Sequence, residues 1–169
     1  LTQSETIQMN QLCSHISFNS INQLNLFKKS NKTIHPSLGI RINPEVSTVT
    51  NTMYDPCAKY SRLGIPLSTL SSETLTAIEG LHFHALCEQN TDALEQVLVA
   101  IEKKLGTYLH HIKWMNWGGG HHITRSDYNV DHLVDLIRHW KTTYNLDIIL
   151  EPGEAIALNS GYYAAKVLD

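Results

Sequence analysis

Two histidines at the end of a short apolar run have the spacing to hold a metal ion or to flank a ligand. His82 and His84 alternate, so on a strand they share one face. Imidazole is a common metal ligand, and Cys87 and Glu88 follow a few residues later. For either histidine alone, packing in the core is the ordinary interpretation. The segment therefore leaves metal binding, ligand binding and core packing open.

Three consecutive glycines, Gly118, Gly119 and Gly120, follow another apolar run. Without a Cβ atom, this backbone can adopt positive φ and turn successive N–H groups toward an anion. A flexible linker has a similar composition, but linkers rarely lie directly between an apolar strand and a capped helix. We therefore expect a phosphate-binding loop here. His121 and His122 come next and either face this loop or lie in solvent at the helix entry.

An acidic turn closes the last apolar run, where Glu151 and Glu154 flank a Pro-Gly pair. Pro152 stops strand pairing, and Gly153 lets the chain turn while exposing its N–H. Pyridoxal phosphate (PLP) needs an anchored phosphate, a sandwiched ring and an acid for its pyridine nitrogen. A glycine loop, a strand-end imidazole and a strand-end carboxylate meet these needs, so the three segments together predict a PLP site.

These residues stand at the ends of apolar runs that alternate with helical patterns. Continuous apolar runs predict strands buried on both faces of a parallel sheet, and stripes at 3.6-residue spacing predict helices. Asp92 with Glu95, and Ser126 or Asp127, are the expected caps of the two strongest helices. The predicted strands are 15–19, 38–43, 80–84, 112–117 and 146–150, and the predicted helices are 21–29, 70–78, 92–106 and 127–140.

This alternation predicts an α/β fold, either an open doubly wound sheet or part of a (β/α)8 barrel. In both architectures ligands bind at the carboxyl ends of the strands, which is where the three segments above are expected. The segment 43–66 contains three prolines and no helical period, so we expect a long loop there.

The composition excludes several classes of protein. The chain has 169 residues, 13 basic and 16 acidic side chains, and 42% apolar residues, which is ordinary for a globular domain and unlike a nucleic-acid-binding arm. It lacks the apolar run of about 20 residues that a membrane span needs, so we expect neither a nucleic-acid nor a membrane partner. The cysteines Cys13, Cys57 and Cys87 are odd in number and widely spaced, which favours a reducing, cytoplasmic location over a disulfide framework.

Five motifs occur in the order found in the alanine-racemase-type barrel decarboxylases and cover nearly the whole chain. They are Gly39-Ile-Arg-Ile-Asn-Pro44, Tyr60-Ser-Arg-Leu-Gly64, His84-x-x-Cys87-Glu88, Gly118-Gly-Gly-His121 and Glu151-Pro-Gly-Glu-Ala155. Within that group, the chain most resembles the carboxynorspermidine/carboxyspermidine decarboxylases. The resemblance implies that residues 1–155 form the later strands of a PLP-binding (β/α)8 TIM barrel. Residues 156–169 would begin a C-terminal β domain.

The resemblance also implies which residues bind the cofactor. His84 would stack on the PLP ring, and Glu151 would pair with the pyridinium nitrogen. Arg41 lies at a matching strand end and is a weaker cofactor candidate. The residues expected to bind the phosphate are Gly118, Gly119, Gly120, Gly153 and Ala155.

A second set of residues is implied to bind the substrate. Glu154 stands where ornithine and diaminopimelate decarboxylases carry arginine after the Glu-Pro-Gly motif. A carboxylate there suits the ammonium group of a polyamine, which an arginine would repel. Cys87 and His121 are further substrate-binding candidates.

The implied activity is PLP-dependent removal of the α-carboxylate from carboxynorspermidine or carboxyspermidine, in polyamine biosynthesis, by a homodimer. The family forms its Schiff base on a lysine at the end of the first barrel strand, and no lysine of this chain has that context. Lys113 is on a predicted strand, but at its beginning. We therefore expect activity only from a longer chain, and no bound metal. Two alternatives stay open: a metal-dependent barrel hydrolase that uses His82 and His84, and a non-catalytic PLP-binding partner subunit.

Overall fold

A single parallel sheet organises the chain, which we describe for residues 2–167 from a computed structural model. Its strands are β1 (His15–Phe18), β2 (Ser37–Asn43), β3 (Ile65–Pro66), β4 (Gly80–His82), β5 (Trp114–Asn116) and β6 (Asp147–Ile149). The main strands lie in the order β1-β2-β4-β5-β6, and the short β3 pairs with β2. All of these pairings are parallel. The carboxyl ends of the strands therefore lie at one edge of the sheet.

Helices precede, connect and follow the strands. They are α1 (Gln3–Leu12), α2 (Ile21–Ser30), α3 (Ser72–Thr76), α4 (Thr91–Leu105), α5 (Val130–Tyr144) and α6 (Gly153–Ala157), with short 3-10 turns at Thr52–Tyr54, Leu67–Thr69 and Gly106–His111. No helix within residues 2–167 combines the length and the apolar character that crossing a bilayer requires.

The five predicted strands and their parallel arrangement are confirmed. All three residues of β5 are buried, as expected of a strand that is covered on both faces. The predicted long loop 43–66 ends in the two-residue strand β3, which is too short to produce a sequence pattern. Helix α1 was not predicted from the sequence. Its buried residues, Thr6 and Asn10, are polar, so no apolar stripe marks the helix.

The starts of α4 and α5 differ from the prediction. Asn90 caps α4 by accepting the N–H of Thr91 at 2.8 Å, so the expected capping by Asp92 is wrong. Asn129 caps α5 by accepting the N–H of His132 at 3.0 Å, so Ser126 and Asp127 are not the cap. The N–H of Asn129 also donates to the Asn90 side chain at 3.0 Å. This contact joins the two helix starts across the fold and cannot be seen in a local sequence pattern.

The core lies between the sheet and its helices. The α4 stripe predicted from helical spacing is buried throughout: Leu94, Val97, Leu98, Ile101 and Leu105. On the sheet, the indole of Trp114 lies against two glycines of neighbouring strands. A Cβ atom on Gly80 would stand 1.9 Å from Trp114 Cε2, and one on Gly39 would stand 2.5 Å from Cη2. The indole fits here because both positions are glycine.

The end of the described chain departs from the expected exit into a strand. Helix α6 covers Gly153–Ala157, and residues 161–167 form neither helix nor strand. Residues 168–169 lie outside the described part, so the start of a β domain at 156 stays a prediction. The three cysteines, Cys13, Cys57 and Cys87, are free thiols.

Candidate active site

The strand ends bring the predicted site residues together. Pairing in register aligns Arg41 of β2 with His82 of β4, His82 with Asn116 of β5, and Asn116 with Ile149 of β6. His84, Gly118 and Glu151 each follow their strand by two residues. The three segments that the sequence singled out therefore meet at one edge of the sheet.

The carboxylate of Glu151 is held by a residue that sequence reasoning missed. The amide Nδ2 of Asn116 donates to Glu151 Oε1 at 2.7 Å, while Asn116 Oδ1 accepts the N–H of Gly118 at 2.8 Å. Asn116 is buried, whereas half of the Glu151 side chain is exposed. Asn116 thus fixes the acid to the glycine loop and leaves part of the carboxylate open to a ligand. Its signal in the sequence is a lone amide within an apolar strand.

His84 lies beside the same loop. The N–H of Gly119 donates to His84 Nδ1 at 3.3 Å, which makes Nδ1 an acceptor and leaves the ring proton on Nε2. Burial, with a further effect of Arg41, lowers the pKa of His84, so the ring is neutral at pH 7. A neutral, partly exposed imidazole next to Glu151 suits contact with an aromatic ring.

The glycine loop is packed between its neighbours. A Cβ atom on Gly119 would stand 2.7 Å from the carbonyl oxygen of Glu151 and 3.1 Å from His84 Cε1. Side chains bind the N–H groups of Gly118 and Gly119, as described above, and the N–H of Gly153 donates to the Glu151 carbonyl at 2.9 Å. The absence of side chains here serves close packing. The phosphate-binding role of these glycines and of Ala155 stays a prediction.

Two buried nitrogens near Glu151 have no hydrogen-bond partner among residues 2–167: Nε of Arg41 and Nε2 of His82. His82 Nε2 is 3.9 Å from Glu151 Oε2, and its Nδ1 is 3.2 Å from Ser17 Oγ. Burial lowers the pKa of His82 to about 4, against the opposing effect of Glu151, so this ring is also neutral. A polar ligand at this edge of the sheet could form hydrogen bonds with these two nitrogens.

The residues expected to bind substrate divide into two groups. The carboxylate of Glu154 is exposed and lies 3.3 Å from His122 Nε2. The thiol of Cys87 has its pKa raised by burial and then by the charges of Glu88 and Glu154. His121, in contrast, is buried, and its Nε2 is 3.3 Å from the carbonyl oxygen of Trp117. In this position His121 supports the loop.

The metal-ligand grouping in the structure differs from the histidine pair that the sequence suggested. Within residues 2–167, three residues form a possible metal-binding group: Glu88, His122 and Glu154. One possible ligand atom of each lies within 4.8 Å of those of the other two. His82 and His84 are not in it.

Lys113 stands at the start of β5 and pairs with Glu79, so it lies at the edge of the sheet away from the site, as expected.

Comparison with known proteins gives relatives over the full chain. No protein-family model matches. The chain is 44% identical over 167 residues to the carboxynorspermidine/carboxyspermidine decarboxylase of Campylobacter jejuni, covering 99% of this chain and 43% of that protein. It is 40% identical over 159 residues to the carboxyaminopropylagmatine decarboxylase of Synechocystis, covering 94% and 41%. The chain therefore spans somewhat over two fifths of the length of these relatives.

Solved structures give the same result for the fold. The crystal structure of carboxynorspermidine decarboxylase from Campylobacter jejuni, complexed with norspermidine, superposes with a TM-score of 0.81 at 41% identity, over 93% of this chain and 40% of that one. An SrLDC mutant solved in complex with PLP has a TM-score of 0.61 at 15% identity, over 85% and 39%, and shows the fold alone.

The parallel strands and their helices thus have the α/β fold of the alanine-racemase-type decarboxylases, compatible with part of a barrel. This confirms the predicted fold class. Within that class, the resemblance to the carboxynorspermidine/carboxyspermidine decarboxylases is confirmed as well. The similarity covers nearly all of this chain and a segment of those enzymes.

Proposed function

We propose that this chain forms the cofactor and substrate site of a PLP-dependent decarboxylase that acts on carboxynorspermidine or carboxyspermidine. The relatives named above support the reaction and the substrate class. The observation that carries the proposal is the Glu151 carboxylate, which Asn116 holds at 2.7 Å next to the ring of His84. An oriented acid beside a neutral imidazole at the strand ends suits the pyridine ring of PLP.

The residues around Glu151 fit the pyridine ring of PLP. Bound PLP would supply an electron sink for the loss of the substrate carboxylate. The free oxygen of Glu151 would accept a hydrogen bond from the protonated ring nitrogen, and Asn116 would keep the carboxylate in place. His84 would cover one face of the ring, and Gly119 would keep the loop close to both. The unpartnered Nε of Arg41 offers a further donor at the same edge.

Glu154 is our candidate for recognising an ammonium group of the substrate. Its side chain is 58% exposed, and one of its oxygens lies within 4.8 Å of the Glu88 carboxylate. An acidic surface of this kind attracts polyammonium substrates and repels acidic ones. Cys87 stays a weaker substrate candidate at the same place.

We further propose that residues 1–155 are the later part of the barrel and that the chain from 156 leads into the β domain. The Schiff-base lysine would then come from outside these 169 residues, in a homodimeric enzyme of the cytoplasm. The free cysteines are consistent with a reducing compartment.

The test is decarboxylation by the natural protein that contains this chain. We expect carbon dioxide release from carboxynorspermidine, and we expect Glu151→Ala to lower kcat at least about 100-fold, the range typical of losing one transition-state contact. Glu95→Ala, which removes an exposed carboxylate on α4, is the matched control and should leave kcat unchanged.

Near-normal turnover of Glu151→Ala would contradict the assignment of the acid. PLP binding without any turnover would favour the alternative of a non-catalytic partner subunit. Metal-dependent hydrolysis without PLP binding would overturn the proposal.

A further inference from the structure

A compact group of two carboxylates and one imidazole lies next to the site described above. Glu88 follows β4, His122 lies in the loop after the three glycines, and Glu154 belongs to α6. One ligand atom from each residue lies within 4.8 Å of the other two. Three chain segments far apart in sequence therefore direct metal-ligating side chains at one point.

His122 is the unusual member of this group. Its side chain is only 7% exposed, and neither Nδ1 nor Nε2 has a hydrogen-bond partner among residues 2–167. Nε2 approaches Glu154 Oε2 to 3.3 Å without the geometry of a hydrogen bond. A buried polar group without a partner is costly. The imidazole is thus directed at the carboxylates with its bonding capacity unused.

The two carboxylates lack a neutralising side chain. Within residues 2–167, neither Glu88 nor Glu154 pairs with a lysine or an arginine. Arg125 lies nearby, but it donates to the backbone carbonyl of Glu88 and pairs with Asp127. Two adjacent uncompensated carboxylates attract a cation.

The separation between His122 and Glu154 favours a metal ion over an ammonium group. Two ligands that each lie about 2.1 Å from a metal ion, at octahedral or tetrahedral angles, are about 3.0–3.4 Å apart. Two acceptors of one ammonium group, each about 2.8 Å away at a tetrahedral angle, are about 4.6 Å apart. The observed 3.3 Å between His122 and Glu154 matches the metal. The imidazole ligand favours zinc over magnesium, and the two carboxylates also suit manganese.

We propose that Glu88, His122 and Glu154 bind one divalent metal ion of the zinc or manganese class. Nε2 of His122 and one oxygen of each carboxylate are the protein ligands, and water completes the coordination. The exposed side chains of Glu88 and Glu154 close the remaining distance by rotation. Oε2 of Glu154 faces the metal and leaves Oε1 for a substrate ammonium group. The metal site does not depend on PLP or on decarboxylation.

The experiment measures metal binding without cofactor or substrate. The natural protein that contains this chain is stripped with a chelator, freed of PLP and dialysed against Zn²⁺ or Mn²⁺, and bound metal is counted by mass spectrometry. We expect one ion per chain. Glu88→Gln, Glu154→Gln and His122→Phe should each weaken binding at least about 100-fold, because even residues behind the ligands change metal affinity by 10–100-fold.

A second histidine–glutamate pair provides the matched control. His132 Nε2 lies 3.4 Å from Glu95 Oε2 on the surface of α4 and α5, with side chains 33% and 50% exposed. Glu95→Gln and His132→Phe should leave the metal affinity unchanged. This comparison separates the proposed site from weak binding to any surface pair.

Absence of stoichiometric Zn²⁺ and Mn²⁺ binding would overturn the proposal, as would binding that survives the Glu88 and Glu154 variants. These two residues are exposed, so their variants stay informative even if His122→Phe fails to fold. Norspermidine that binds through the same three residues, with no metal bound, would identify an ammonium site in place of the metal. Turnover by the enzyme is a separate measurement, so loss of the metal proposal leaves the proposed function standing.

Discussion

At the scale of single residues, Asn116 shows how one buried amide can set a site. It donates to the Glu151 carboxylate and accepts the N–H of Gly118, so it joins two of the predicted site segments. Buried polar side chains of this kind are costly unless all of their bonds are made. The acid is therefore positioned before any ligand binds.

We expect Asn116→Ala and Asn116→Asp to lower kcat in the natural protein that contains this chain by about 10-fold or more, with little change in KM. The alanine removes the donor to Glu151. The aspartate keeps an acceptor for Gly118 but places a second carboxylate beside Glu151, so one of the two must take up a proton. Steady-state kinetics and the midpoint of thermal unfolding should be measured together. A variant that is destabilised yet keeps a normal kcat would show that Asn116 is only structural.

At the scale of elements, the glycine loop lies between the strand-end segments that carry His84 and Glu151. Backbone bonds join it to both sides, since Glu151 N donates to Gly118 O at 2.8 Å and Gln89 N donates to Gly120 O at 3.0 Å. The loop therefore sets the distance between the imidazole and the acid.

Gly119→Ala should push these two segments apart, because its Cβ atom would stand 2.7 Å from the Glu151 carbonyl oxygen. Overpacking of this kind costs about 1–3 kcal/mol of unfolding free energy, and we expect weaker PLP binding as well. Denaturant unfolding and PLP titration are the measurements. Gly161→Ala, where an added Cβ meets nothing within 4 Å, is the control. Equal stability of the two variants would refute the packing argument.

At the scale of the whole molecule, the sheet is open. Within residues 2–167, β1 and β6 each pair with a neighbouring strand on one side only, and unpaired strand edges promote association. The chain after α6 also exposes large apolar side chains, among them Tyr162, Tyr163 and Val167, which are at least 82% exposed. Surface of this kind is usually covered by another part of a protein.

We expect the 169-residue chain by itself to self-associate as its concentration rises, measured by size exclusion with light scattering. Replacing Tyr162 and Tyr163 by serine should reduce this association. Tyr60→Ser is the control, because Tyr60 is 90% exposed but lies in the loop after β2. A monodisperse monomer that unfolds cooperatively at every concentration would contradict this prediction.

The sequence by itself determined the five main strands, the two long helices and the strand-end segments that carry the candidate site, but not Asn116. Apolar runs report burial on both faces directly, and stripes such as Leu94 to Leu105 report the helical period. His84, the glycines and Glu151 were found because parallel strands place their carboxyl ends at one edge. The helix caps Asn90 and Asn129 were not found. The Asn90 side chain also bonds the backbone of Asp127 and Asn129, and a local pattern does not report such a contact.

Only the tertiary structure decided what these residues do to one another. It showed that Asn116 holds Glu151 and that the N–H groups of Gly118 and Gly119 donate to side chains. It also showed that His122 faces Glu154, whereas His121 contacts the loop backbone. The contacts of Glu151 with Asn116, of Gly119 with His84 and of His122 with Glu154 join residues more than 30 positions apart. Local sequence patterns carry the type and order of residues, whereas hydrogen-bond partners and orphaned buried groups exist only once the chain is folded.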